Sequence, residues 1–164
     1  MIKRTKYAGI KYNDVVDGDG IIVSLWTQGC PFKCKNCHNP QTWDENGGLD
    51  IPSNLKEQII EAITANGIQR NFSILGGEPL APYNQEFVLD ILTAVREAFP
   101  HIKIYLWTGY TLENLKSQNS ILVNSILDKI DILIDGPFIE KERDLTLELR
   151  GSRNQRILYK NIDF

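Results

Sequence analysis

Short apolar runs alternate with amphipathic stretches along most of the chain. Residues 21–27, a β-branched and aromatic run between Gly20 and Gly29, predict a buried strand. Residues 28–52 are rich in Gly, Pro and Asn with no sustained period and read as one long loop, a kind of segment that usually carries function in compact domains. Asn54 and Glu57 have the spacing of a capping box, and Leu55, Ile59, Ile60 and Ile63 follow at helical spacing until Gly67. Residues 72–75 predict a second strand that ends at Gly76-Gly77-Glu78-Pro79. Phe87, Val88, Ile91, Leu92, Val95 and Phe99 then form one helical face, closed by Pro100. Residues 103–107 predict a third strand. Thr111 opens a helical stretch that breaks near Asn119 and resumes through Ile121, Leu122, Ile126 and Leu127, and residues 131–134 predict a fourth strand. Residues 145–149 alternate like a further strand, followed by a basic turn over 150–156 and a last short apolar run.

Strands alternating with helices imply an α/β fold with a parallel sheet, right-handed crossovers and helices on the outside. A complete eight-fold barrel takes about 250 residues, so 164 residues build only an incomplete parallel (βα) barrel, open along one side. Hydrophobic residues at 42% and charged residues at 24% match an ordinary globular chain, which predicts one domain over 1–164 and excludes collagen-like and disordered classes. No apolar run approaches the roughly 20 residues of a membrane span, and the start Met1-Ile2-Lys3-Arg4-Thr5-Lys6 lacks the apolar stretch of a signal peptide, so a cytoplasmic protein is expected. The net charge of −3 offers no basic surface for DNA or an anionic membrane.

Cysteine usage changes the picture most. The chain has 3 cysteines, Cys30, Cys34 and Cys37, all inside eight residues directly after the first predicted strand. An odd, clustered set argues against a disulfide framework and for metal binding. Iron–sulfur electron carriers use four cysteines, so three predict a cluster with one iron left open, and an open metal position implies catalysis. The competing reading is a structural zinc knuckle with His38 or His101 as fourth ligand, although the spacing matches no common zinc motif. Asp14, Asp17 and Asp19 fail the calcium-loop pattern, whose closing acidic position falls on Gln28, and read as a solvated turn.

The run from Gln28 through Cys30, Cys34 and Cys37 to Pro40 resembles the cluster loop of radical S-adenosylmethionine enzymes, and Gly76-Gly77-Glu78-Pro79 resembles the motif that follows their second strand. Residues 18–21, 39–43, 106–110, 133–138 and 150–156 narrow the resemblance to the glycyl-radical enzyme activating enzymes, and within them to those that serve the anaerobic ribonucleoside-triphosphate reductase. Activators of other glycyl-radical enzymes, such as pyruvate formate-lyase, share the cluster loop and are usually longer. The resemblance implies the radical S-adenosylmethionine fold, with a [4Fe–4S] cluster on Cys30, Cys34 and Cys37. It implies that S-adenosylmethionine is held by the backbone of Gly76, Gly77 and Glu78 and by backbone around Asn36, Cys37 and His38. An aromatic residue often precedes the third cysteine in that superfamily; Asn36 stands here, so side-chain stacking on the adenine is excluded. Asp135 is a candidate ribose contact or a helix cap. Arg150, with Arg153 and Arg156, is a candidate grip on a carboxylate or on the partner. The implied reaction removes a hydrogen atom from a glycine of the reductase large subunit, with a reductant such as flavodoxin. The alternatives are activation of another glycyl-radical enzyme and a zinc-stabilised interaction module.

Overall fold

A computed structural model describes residues 4–164, so the first three residues of the polar start lie outside the described residues. The strands are β1 (Lys6–Asp14), β2 (Ile22–Thr27), β3 (Leu49–Asp50), β4 (Asn71–Gly76), β5 (Ile104–Trp107), β6 (Ile132–Asp135) and β7 (Arg156–Tyr159). The helices are α1 (Leu55–Ile63), α2 (Gln85–Ala98), α3 (Leu112–Ser117) and α4 (Ile121–Lys129). The strands form one sheet in the order β3-β1-β2-β4-β5-β6-β7. Its centre, β2-β4-β5-β6, is parallel, whereas β1 and β3 at one edge and β7 at the other run antiparallel to their neighbours. The all-parallel expectation is therefore corrected to a mixed, mostly parallel α/β sheet.

The two faces of the sheet are covered differently. Val23, Leu25, Phe72, Ile74, Ile104, Leu106 and Leu133 point to one side, where they pack with the apolar stripes of all four helices into a single core. The alternate positions Ile22, Tyr105, Ile132 and Ile134 form a second, smaller cluster with Trp107, Leu149 and Ile157, to which no helix contributes. Period-two alternation thus sends one set of side chains under the helices and leaves the other facing a space closed by loops. Val88, Ile91, Leu92 and Val95 of α2 are almost fully buried, and each contributes about 1.5–3 kcal/mol of apolar burial. Among the described residues no helix is long and apolar enough to cross a membrane.

Several local expectations change. β1 escaped the apolar pattern because Gly9 and register shifts on either side of residues 9–11 break its alternation. Asn54 makes no side-chain cap; its Oδ1 accepts from Gln58 Nε2 one turn on, at 2.9 Å. Ile121 opens α4 but is 84% exposed, while Val123, Ile126 and Leu127 supply the buried face. Residues 145–149 are turns rather than a strand, with Leu149 at φ 60°.

Candidate metal centre

β2 ends at Thr27, and the cysteine loop starts from a tightly held base. Gln28 is buried and donates from Nε2 to the carbonyls of Gln41 at 3.0 Å and Asp44 at 2.8 Å. Gly29 N donates to Thr42 O and Cys30 N to Trp43 O, so the loop folds back on its own start. Asn84, buried before α2, donates to Gln28 O and Glu78 O, joining the cysteine loop to the segment after β4. Parallel β2 and β4 end side by side at Thr27 and Gly76, which brings the two motifs together. The approach is close: a Cβ on Gly77 would lie 2.4 Å from Gly29 O.

Inside the loop, Lys33 and Asn36 take left-handed backbone conformations, at φ 47° and 56°. Asn tolerates that region better than an aromatic residue does, a local reason for Asn at this position. Its side chain turns to Glu140, which also lies near Lys35. Phe32, between the first two cysteines, sets its ring edge-on to Tyr110 at 4.8 Å and against Gly109.

A cavity of about 580 Å³ lies on the helix-free face. Cys30, Cys34, Cys37 and His38 line it, as do Gly76, Gly77 and Glu78, Trp26 and Trp107, and Arg150. The three cysteines are free and partly buried. Burial pushes the Cys30 and Cys34 thiols up, against hydrogen bonds from the backbone of Lys33 and Phe32 to Cys30 and of Phe138 to Cys34. Metal ligation deprotonates such thiols and so releases protons. Among the described residues no three His, Cys, Asp or Glu side chains are grouped to hold one metal ion. Of the two fourth ligands considered for a zinc knuckle, His38 lines the cavity with its ring edge-on to Phe138 at 5.4 Å, and His101 is exposed after α2. Three free thiols around one cavity would suit an iron–sulfur cluster.

The Glu78 side chain is turned into the protein. Its Oε2 accepts from Leu80 N and Thr108 Oγ1, and its Oε1 from Gly109 N. Burial pushes its carboxyl up to about 7 despite these three bonds. Asp135 does not line the cavity. Its Oδ2 accepts from Leu112 N at the start of α3, and both oxygens bind Arg156, which also pairs with Glu113; of the two roles considered, the structure shows the helix cap. Arg153 is exposed, so of the three arginines only Arg150 borders the cavity, with its Nε buried and unpartnered. The aspartate turn is not simply solvated: Asp14 is buried, and Asp17 beside it is partly so.

Asn84 and Thr108 were not singled out from the sequence, because the partners Gln28 and Glu78 that give them their place lie 56 and 30 residues away. Trp26 and Trp107 were legible in principle, since they share strand parity with Ile22 and Tyr105 of the second cluster.

Three clustered thiols on one cavity at the strand ends of a mixed α/β sheet point to the class of iron–sulfur proteins. The family described as "4Fe-4S single cluster domain" matches residues 16–158. The chain is 39% identical over 145 residues to the anaerobic ribonucleoside-triphosphate reductase-activating protein of Vibrio cholerae, covering 88% of this chain and 91% of that one. It is 34% identical over 143 residues to the Escherichia coli K12 protein of the same name, covering 87% and 90%, and 35% identical over 150 residues to that of Enterobacteria phage T4, covering 92% and 90%. The chain belongs to the family of anaerobic ribonucleoside-triphosphate reductase-activating proteins.

Proposed function

We propose that this chain is a cytoplasmic activating enzyme that installs a glycyl radical on the large subunit of an anaerobic ribonucleoside-triphosphate reductase. One observation carries the reading: the three free thiols and the backbone of residues 76–78 line one cavity at the adjoining ends of β2 and β4. Cys30, Cys34 and Cys37 would hold a [4Fe–4S] cluster, and the rest of the cavity would take S-adenosylmethionine. When bound, these two groups and one electron from a flavodoxin-like reductant would supply reductive cleavage of the C5′–S bond to methionine and a 5′-deoxyadenosyl radical, which would take the α-hydrogen of the glycine and leave as 5′-deoxyadenosine.

The protein's own part is to bind, orient and exclude water. Backbone at Gly76, Gly77 and Glu78 receives the methionine amino group, and backbone at Asn36, Cys37 and His38 faces the adenine. Arg150, the cation whose Nε has no partner in the cavity wall, suits the methionine carboxylate. The mixed sheet forms an incomplete barrel within a single domain over 1–164, and its loop-closed face admits a segment of another protein. The relatives' names favour the reductase over other glycyl-radical enzymes.

The test is anaerobic purification, iron and sulfide analysis, and electron paramagnetic resonance after dithionite reduction. A reduced-cluster signal that changes on adding S-adenosylmethionine, followed by a glycyl-radical signal when reductase is present, is expected. Zinc without inorganic sulfide in a reconstituted sample overturns the reading and leaves an interaction module.

A further inference from the structure

The rim of the cavity carries exposed apolar side chains on two separate loops. Val16, in the link between β1 and β2, is 76% exposed, and its neighbour Val15 is 70% exposed. Leu145, in the turns between β6 and β7, is also 76% exposed. Val16 and Leu145 both line the cavity that holds the three thiols, together with Leu147 and Leu149 of the second loop. Single exposed apolar residues are ordinary, and Ile121 and Ile162 elsewhere on the surface are such cases. Two loops that place them on the border of one reaction cavity are a different matter.

Hydrogen bonds tie both loops to the body of the protein. The first is bonded to the helix-free face of the sheet: Ser73 Oγ donates to Asp17 O at 2.6 Å, and Asp19 N donates to Tyr105 Oη at 3.1 Å. Val16 N itself donates to Asp14 Oδ1 at 2.8 Å. On the second, Trp107 Nε1 donates to Leu149 O at 2.7 Å, and Gln155 Oε1 accepts from Gly151 N and Ser152 N. The backbone is held while the apolar ends stay in water, which is unfavourable unless something covers them.

We infer that Val16 and Leu145 are the docking edge for the glycine-bearing segment of the reductase, which they contact through apolar side chains flanking the reacting glycine. The inference rests on the function proposed above. The occupant follows from continuity. Under that function a backbone α-carbon of the partner must reach the cavity lined by the thiols, and these residues stand on the border it passes. Glycine brings no side chain into the cavity, so its neighbours remain at the rim, where Val16 and Leu145 offer apolar contact.

The experiment compares the cluster-loaded protein with Val16→Asp/Leu145→Asp, with the apolar replacements Val16→Ile/Leu145→Met, and with Ile121→Asp on the helix side. Dithionite-driven cleavage of S-adenosylmethionine without reductase reports an intact site, and anaerobic titration calorimetry with the reductase large subunit reports docking. The aspartate pair is expected to bind reductase roughly tenfold or more weaker while losing much less of its reductase-independent cleavage of S-adenosylmethionine; the apolar pair and Ile121→Asp bind within about twofold of wild type. The inference is overturned if the aspartate pair binds as wild type does, if it loses reductase-independent cleavage in the same proportion, or if Ile121→Asp weakens binding equally. It also falls if the rim instead mediates self-association, seen as a wild-type dimer by sedimentation that the aspartate pair dissolves. A wild-type protein that neither cleaves S-adenosylmethionine nor binds reductase sinks the functional reading itself, an outcome distinct from all of these.

Discussion

The Glu78 carboxylate accepts the backbone N–H of Gly109 at 2.6 Å and so ties the end of β4 to the loop after β5. Gly109 lies under the Phe32 ring, close enough that a Cβ there would stand 2.7 Å from it. The bond therefore fixes the surface on which the cysteine loop rests between Cys30 and Cys34. Glu78→Gln keeps the shape but sets an amide donor among three donors, from Leu80, Thr108 and Gly109. The expected cost is about 1–3 kcal/mol of stability in the cluster-free protein, read by urea denaturation, together with a lower iron and sulfide content after reconstitution. An unchanged midpoint and full iron loading would disprove this coupling.

Gly77→Ala tests the contact between the two motifs. The added methyl meets Gly29 O at 2.4 Å and Thr42 O at 2.9 Å, both backbone atoms that cannot rotate away. Residues 29 and 77 must separate, at a cost of about 1–3 kcal/mol. Equilibrium dialysis should show S-adenosylmethionine binding weakened by roughly tenfold or more, because a small displacement of positioning backbone has a large effect. Wild-type affinity in this variant would place the methionine group elsewhere.

The central strands were legible because β2 and β4 are buried on both faces and so read as short, largely apolar runs in which Ser24 and Ser73 are the polar interior positions. The tail misled for the opposite reason. Leu145, Leu147 and Leu149 alternate, but alternation needs a partner strand to become a ladder. β6 pairs with β7 instead, and Leu149 gives its carbonyl to Trp107. The same contrast holds in the site. Three cysteines inside eight residues announce themselves locally, whereas Glu78 turning inward depends on Thr108 and Gly109, 30 and 31 residues away. Asp135 sat at a strand end where a cofactor contact and a helix cap use the same carboxylate, and only the position of Arg156 on the helix side separates the two.

That separation makes a prediction of its own. Asp135 is 1% exposed and holds Arg156 with both oxygens, an arrangement in which removing the charge is costly. The Arg156 guanidinium keeps its proton even more firmly than usual, because of its hydrogen bonds to Asp135 and then Glu113. Asp135→Asn is expected to lose about 1–3 kcal/mol of stability, since Arg156 retains Glu113 and Leu112 N retains an acceptor. Its affinity for S-adenosylmethionine should stay within about twofold of wild type. A large loss of affinity without a matching loss of stability would return Asp135 to the cofactor site.

Asp14 and Asp17 form a carboxyl pair whose proton decides a pH dependence. Asp14 Oδ1 accepts from Val16 N and Asp17 N, but its Oδ2 is buried without a donor unless the Asp17 carboxyl supplies one. Burial, then the hydrogen bond to Asp14 and its charge, push Asp17 up to about 7, with only Lys11 opposing. Burial penalises Asp14 most strongly too, yet hydrogen bonding, first with Asp17, holds it below the usual carboxylate range. An unfolded Asp titrates near 3.9, so between roughly pH 4 and 7 the folded chain binds the extra proton and stability falls as pH rises. Below that window the contribution is complete, and above it the contribution is lost. Asp17→Asn places a permanent donor beside Asp14 Oδ2. The variant should therefore lose this part of the pH dependence and gain on the order of 1 kcal/mol over wild type at pH 8, a figure reduced for partial exposure. Thermal melts of both cluster-free proteins from pH 5 to 8 decide it. Parallel curves would show that the two carboxyls do not share a proton.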